Sequence, residues 1–315
     1  MIQNKKIFFI APVYFNYHEL IIENFEKKGY SVDFLEDKNS GFLYTISSKS
    51  NYILKKYKAK YEKEVLSKLE GNNYDLMIVI GGKTLDNKFW KFVGQNFNFK
   101  KILYQWDSIN NFDYREMMLY FDVVKTFDSN DAKQLNIPYL PLFYKKELKS
   151  SVVEDLDFVF IGIWHSDRFD ILSKIAEYAN VNQLKYCFKV YYPWYMYFYL
   201  VYIKKHMKSS PFISFNSVPL SETLEYYNRS KCIVDINHPE QTGLTMRTIE
   251  TIGKGKKLIT TNPFIKNEAF YDEKMMQVID RKNVEIRYDF FQINRCYVNI
   301  EHLEISNWVN QLLEL

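Results

Sequence analysis

Short continuous apolar runs recur along this chain, separated by amphipathic stretches, and that recurrence restricts the fold more than any other feature. KIFFIAPVY, SVDFLE, YDLMIVIGG, KKILYQWDS and VVKTF punctuate the first half, with YLPLFY closing it. Between them lie helix-like segments: YHELIIENFEKKGY, a Lys-rich stretch near residues 50–71, and others around NKFWKFVGQNF, YREMMLYF and SNDAKQL. A run without polar alternation implies a strand covered on both faces, which is the condition of a parallel sheet wrapped by helices. The expected fold class is therefore α/β, doubly wound.

The alternation breaks at KKELKSSVVED, residues 145–155, which is polar and lacks an apolar period. It then restarts with DFVFIGIW, RFDILSKIAEYA, YCFKVYY, the aromatic WYMYFYLVYIKKHM, ISFNSV, SETLEYYNRS, CIVDINH and KKLITTN. A length of 315 residues suits two compact domains, each with its own core. Two such units in tandem imply a bilobal molecule with a cleft, ligands collecting beyond the carboxyl ends of the strands.

Composition excludes several classes. With 47% hydrophobic and 25% charged residues the chain is globular rather than disordered. A net charge of +4 is too mild for a nucleic-acid footprint, so no nucleic-acid partner is expected. Cys187, Cys232 and Cys296 are scattered, odd in number and without metal-ligand spacing, which fits a reducing compartment. The amino-terminal apolar run is short and reads as a first strand. No window approaches the roughly 20 apolar residues that span a bilayer. A cytoplasmic protein is expected, with peripheral contact at the inner face of the cell membrane left open.

The stretch TGLTMRTIETIGKGKKLITTN, residues 242–262, concentrates the chemistry. Read as a helix, it gathers Gly243, Arg247 and Glu250 within about 60° of one another, with Leu244, Thr248, Ile249 and Ile252 opposite. Thr242 and Thr245 sit at its start, where free backbone N–H groups and the helix dipole favour an anion and Gly243 clears the approach. Arg247 has the reach for a forked contact with phosphate, and Glu250 for hydrogen bonds from ribose hydroxyls. The competing reading is an ordinary surface ion pair between residues three apart. The flanking strands, one ending in DINH and the other KLITTN, favour a nucleotide diphosphate site.

Some 30 residues, DINHPEQTGLTMRTIETIGKGKKLITTN, resemble the second-domain signature of GT-B glycosyltransferases, particularly the CgeB-like and lipopolysaccharide-biosynthesis branch. In that signature an Arg precedes a Glu by three residues, followed by a glycine turn and a strand. The resemblance implies two tandem Rossmann-like domains facing a cleft: residues 1–148 on the acceptor side and 149–301 holding the nucleotide sugar. Residues 302–315, with ISNWVNQLLEL, would form a last helix packing back toward the first domain. It assigns Glu250 to the ribose and the Thr242–Gly243 helix start to the diphosphate. Many retaining members carry two glutamates with seven residues between them; here Thr242 stands eight positions before Glu250, so the stereochemical outcome does not carry over.

Other candidates each have a plainer alternative. In FVFIGIWHSDR, Gly162 would permit close approach of the donor and Arg168 would meet phosphate; the alternative is a strand exit and a surface arginine. Asp107, ending LYQWDS, is the best first-domain carboxylate for a general base, although Asp at such a junction often caps the next segment. In APVYFNYH, Tyr14 and Asn16 are candidates for the acceptor side and His18 for a second base, or merely a solvated histidine. Asn237 and His238, in INHPEQ, would touch the donor pyrophosphate or form a turn. The segment YYPWYMYFYLVYIKKHMK suits a lipid interface, with core packing or a homodimer face as the safer reading. IGGK, residues 80–83, lacks the remaining positions of a P-loop. No metal or other cofactor is expected.

The expected activity is glycosyl transfer from a nucleotide-sugar donor to a glycan or lipid-linked acceptor in bacterial surface polysaccharide assembly, lipopolysaccharide or capsule. The leaving group would be stabilised by the helix terminus and basic side chains without a required metal. The rivals are a sugar-nucleotide epimerase of the same fold and a non-catalytic glycan-binding scaffold.

Overall fold

The computed structural model describes residues 5–38, 50–147, 152–203 and 210–314. The chain divides into two compact units, Met1–Leu142 together with Ile305–Leu315, and Phe143–Glu304.

In the first unit five parallel strands, β1 (Lys6–Ala11), β2 (Ser31–Glu36), β3 (Leu76–Ile80), β4 (Lys100–Gln105) and β5 (Val123–Thr126), lie in the order β2-β1-β3-β4-β5. Every residue of β3 is buried, as the unbroken run LMIVI requires of a strand covered on both faces. The chain runs from β1 out to β2 and returns past β1 to β3. Because parallel crossovers are right-handed, that reversal puts helices on both faces. Trp90, Val65, Tyr114 and Met117 fill one side against Phe8, Met77 and Leu103. The helix Ile305–Leu313 belongs to this unit: Trp308 is fully buried, its Nε1 donates to the Pro141 carbonyl at 2.8 Å, and its ring meets Tyr104 edge-on at 5.1 Å.

The second unit has six parallel strands, β6 (Leu156–Ile163), β7 (Tyr186–Tyr191), β8 (Ile213–Ser214), β9 (Ser230–Asp235), β10 (Lys257–Thr260) and β11 (Met276–Val278), in the order β11-β10-β9-β6-β7-β8. Here the chain steps outward from β6 to β8, then crosses to β9 on the other side of β6. The direction of winding therefore reverses between β6 and β9. Such a reversal opens a crevice at the carboxyl ends of the two strands.

Three stretches differ from the sequence reading. YLPLFY is not a strand: around it only the isolated bridges Thr126↔Tyr139 and Tyr144↔Glu304 form, and Pro138 and Pro141 remove two of the N–H groups a ladder needs. The aromatic stretch is not one buried helix. It is a short helix, Trp194–Phe198, running into a π turn, Tyr199–Ile203, with Trp194, Tyr195, Tyr202 and Ile203 exposed. For these four side chains the core reading gives way to a surface one, while Tyr197 is buried in the core of the second unit with Leu200 and Val201 packed against it; residues 204–208 of the same segment lie outside the described residues. Finally, the helix of the 242–262 stretch begins only at Met246. Among the described residues no helix is long and apolar enough to cross a membrane.

Candidate functional site

The crevice between β6 and β9 is built from side chains brought together across the strand ends. The two strands pair as far as Val159↔Ile233 and then part. Parting leaves backbone carbonyls without ladder partners, and a buried carbonyl must find a donor elsewhere. Two arginines supply them. Arg247 donates Nη2 to the Ile161 carbonyl at 2.6 Å, Nη1 to Asp235 at 3.0 Å and Nε to the Tyr227 hydroxyl at 3.0 Å. Arg168 donates Nε and Nη2 to the Ile236 carbonyl at 2.9 and 2.7 Å, and Nη1 to the Ile163 carbonyl. Both guanidinium groups lie over the Phe160 ring, at 4.8 and 5.2 Å. Gly162 suits this packing, because a Cβ there would stand 3.1 Å from both Arg247 Nη2 and Phe160 Cζ, a tight contact to which those side chains would have to give way by a few tenths of an ångström.

Asp235, the last residue of β9, is fully buried and organises the start of helix Met246–Gly253. Its Oδ2 accepts from the Thr245 and Thr248 hydroxyls, both at 2.8 Å. Thr245 in turn accepts the Thr248 N–H, so it is the helix cap, in extended conformation. This accounts for the late start of the helix: Thr242 and Gly243 belong to the loop before it. The Gly243 carbonyl is held by Gln241 and Asn262, the Thr242 carbonyl by Asn262. Arg247 and Glu250, three residues apart in this helix, stand at neighbouring positions of one face.

Next to these staples lies a polar cluster. His165, after β6, and His238, after β9, have ring centroids 5.4 Å apart. Arg281 donates to Asp167, two residues after His165, at 2.7 Å and to the carbonyl and side-chain oxygen of Asn237, the neighbour of His238, at 2.5 and 2.8 Å. Asn237 is buried and also accepts from the Thr261 hydroxyl and donates to the Gln241 carbonyl, so it fixes the turn. Burial, then the charges of Arg168, His238 and Arg281, push His165 down to about 4, against an opposing pull from Asp167.

Of the sequence candidates, Gly162, Arg168, Asn237, His238, Thr245 and Arg247 come together around the crevice, with Thr242 and Gly243 on the adjoining loop. Arg168, Arg247 and Thr245 have the protein partners described above. His165, Asp167, Asp235, Asn262 and Arg281 were missed; a histidine shortly after each of two apolar runs, in WHSD and DINH, was the available signal.

The first-unit candidates occupy the ends of β1 and β4. Asp107 forms an ion pair with Lys83 and accepts from Asn111 Nδ2 at 2.9 Å. His18 is buried in the first turn of helix Tyr17–Lys27, stacked on Phe34 at 4.9 Å, and its Nδ1 has no hydrogen-bond partner among the described residues. It is not a solvated loop histidine. Tyr14 is exposed, and Phe15 and Asn16 adopt positive φ of 43° and 61°, a conformation that costs energy in non-glycine residues. At the end of β3, the backbone N–H groups of Gly82, Lys83 and Thr84 converge on buried Asp37 at 2.9, 3.0 and 3.1 Å. This anion cradle is filled by the chain's own carboxylate, whose pKa burial raises.

The two sheets define the class: two Rossmann-like domains of the GT-B type. No protein-family model matches the chain, and no curated protein sequence matches it. Solved structures do. The UDP-GlcNAc 2-epimerase of Methanocaldococcus jannaschii, in complex with UDP-GlcNAc and UDP, superposes with a TM-score of 0.58 at 12% identity, over 98% of this chain and 99% of that one. The lipopolysaccharide outer core galactosyltransferase WaaB, in its apo form, superposes at 0.54 and 11% identity over 97% of both chains. The catalytic domain of starch synthase IV from Arabidopsis thaliana, bound to ADP and acarbose, gives 0.54 at 9% identity, over 99% and 96%. At such identities the likeness is one of fold.

Proposed function

We propose that this chain is a nucleotide-sugar-dependent glycosyltransferase whose donor diphosphate binds at the β6/β9 crevice. The carrying observation is the group of Arg281, His165 and His238 beside the two stapled arginines, at the place in the second sheet where the winding reverses. Carbonyl partners satisfy the hydrogen bonds of Arg168 without cancelling its charge, so the crevice keeps an electrostatic preference for an anion. In this reading Glu250 holds the ribose, and Arg247 and Arg168 act from beneath the phosphates. Asp107 or His18 takes the proton of an acceptor hydroxyl lined up by Tyr14 and Asn16. The acceptor is a glycan or lipid-linked sugar of surface polysaccharide assembly, and departure of the nucleoside diphosphate needs no metal.

A panel of nucleoside diphosphates tests this by thermal shift, since a ligand that binds only the folded state raises the melting temperature. At least one should do so in the native chain and lose most of its effect in Arg281→Ala and Glu250→Ala. A panel without any shift in the native chain would overturn the donor-site reading. The fold likeness to the epimerase supports a second reading. Incubation with nucleotide sugar alone separates the two: conversion of the sugar without an acceptor would establish epimerisation.

A further inference from the structure

Ser166 stands at φ 46°, in the left-handed region that side-chain-bearing residues avoid. There its Oγ donates to Asp167 Oδ1 at 3.1 Å and lies 2.9 Å from His165 Nδ1. A serine hydroxyl has one proton, and an ionised carboxylate can only accept. With that proton committed to Asp167, Ser166 offers His165 only lone pairs, so the imidazole carries its hydrogen on Nδ1 and leaves Nε2 bare. Asp167 is itself anchored by Arg281 Nη1 at 2.7 Å. The result is a directed chain, His165 Nδ1–H to Ser166 Oγ–H to Asp167, fastened by a guanidinium and adjoining the crevice.

We infer that His165, oriented through Ser166 and Asp167, takes up a proton at Nε2 when a diphosphate enters the β6/β9 crevice and delivers it to the departing phosphate. This rests on the donor-site reading above. In the resting protein the charged and titratable groups facing His165 are Arg168, Arg281 and His238 against Asp167, and the imidazole is neutral. A bound diphosphate reverses that balance, because a nearby anion favours the imidazolium. The bare nitrogen, otherwise repelled by phosphate oxygens, then becomes a donor to them. In the transfer step the bond between the anomeric carbon and the terminal phosphate oxygen breaks and its electron pair stays on that oxygen. The Nε2 proton moves to the same oxygen, and His165 returns to the neutral form. The acceptor hydroxyl forms the new bond to the anomeric carbon and gives up its own proton to the base of the first unit, Asp107 or His18.

Calorimetry of inorganic pyrophosphate binding, at one pH in two buffers of different ionisation enthalpy, reads the proton count directly. The native chain should take up more protons per pyrophosphate than His165→Gln. Ser166→Gly, which relieves the φ strain while deleting the hydroxyl, should fall between them. Equal proton counts in the native chain and His165→Gln, with pyrophosphate bound to both, would overturn the relay and leave the donor site standing. Failure of pyrophosphate to bind the native chain would overturn both. Nitrogen-15 shifts of the free protein give a binding-independent check: a proton found on Nε2 of neutral His165 would sink the assigned chain outright.

Discussion

Arg247 illustrates how a residue recognised from spacing acquires its meaning from a partner that spacing does not reveal. Its guanidinium, with a side chain only 17% exposed, joins the fully buried carboxylate of Asp235, twelve positions earlier in the sequence. Truncation to Ala would strand that carboxylate without its cation, a change that costs about 3–5 kcal/mol when such a pair is broken in the interior. Urea denaturation of Arg247→Ala should therefore show a much lower midpoint at unchanged slope; an unchanged midpoint would remove Arg247 from the scaffold. His165 carries a second expectation. Its folded pKa of about 4 lies below the 6.5 of the free side chain, so the unfolded chain binds the proton first as pH falls. Stability is then complete above about 6.5 and is lost progressively toward about 4. Melting temperatures across that window should fall less steeply for His165→Gln than for the native chain, and parallel curves would contradict the shift.

At the scale of elements, the start of helix Met246–Gly253 is set by Thr245, which caps Thr248 and ties itself to Asp235. Thr245→Val keeps the shape and deletes the hydroxyl. Losing the cap together with a hydrogen bond to a buried carboxylate should cost about 2–4 kcal/mol, whereas Thr245→Ser should stay within about 1 kcal/mol of the native chain. Thermal unfolding of the two variants side by side reads the difference; equal losses would show that the methyl, not the hydroxyl, matters. The same helix marks the limit of what the sequence discloses. Its apolar face and the strands on either side are legible, because Ile249, Ile252 and the run KLIT follow the periods of a packed helix and a buried strand. Its first residue is not, since the cap depends on a carboxylate at the end of another strand. Arg281 was missed for a similar reason: 44 positions separate it from Asn237, and no local pattern announces that contact. The aromatic segment is divided, with Tyr197 in the core and Trp194, Tyr195, Tyr202 and Ile203 exposed, and the sequence does not show which ring goes where because a run of large rings looks the same whether it faces a core or solvent.

Across the whole chain one plan is used twice, with opposite electrostatics. Each sheet starts on an interior strand, winds outward, and reverses. At the first reversal the backbone cradle of Gly82, Lys83 and Thr84 is filled by Asp37; at the second, the guanidinium groups of Arg168 and Arg247 sit between the parted strands. That asymmetry is the physical ground, independent of any motif, for proposing the second unit as the one that takes an anionic ligand. The first unit depends instead on a segment from the far end of the chain. Trp308 sits fully buried against Tyr104 of β4, Lys28 Nζ donates to Asn310 at 2.5 Å, and Lys125 Nζ donates to the Gln311 carbonyl and to the Glu314 carbonyl at 2.7 Å. These contacts make the last helix part of the core rather than an appendage. Trp308→Ala removes the largest side chain of that contact and should cost about 3–5 kcal/mol. Native-state hydrogen exchange locates the loss, because amides that open with a unit lose protection together. The amides of β1, β3 and β4 should exchange faster in the variant, and unaltered protection there would show that the first unit holds its fold without the carboxyl-terminal helix.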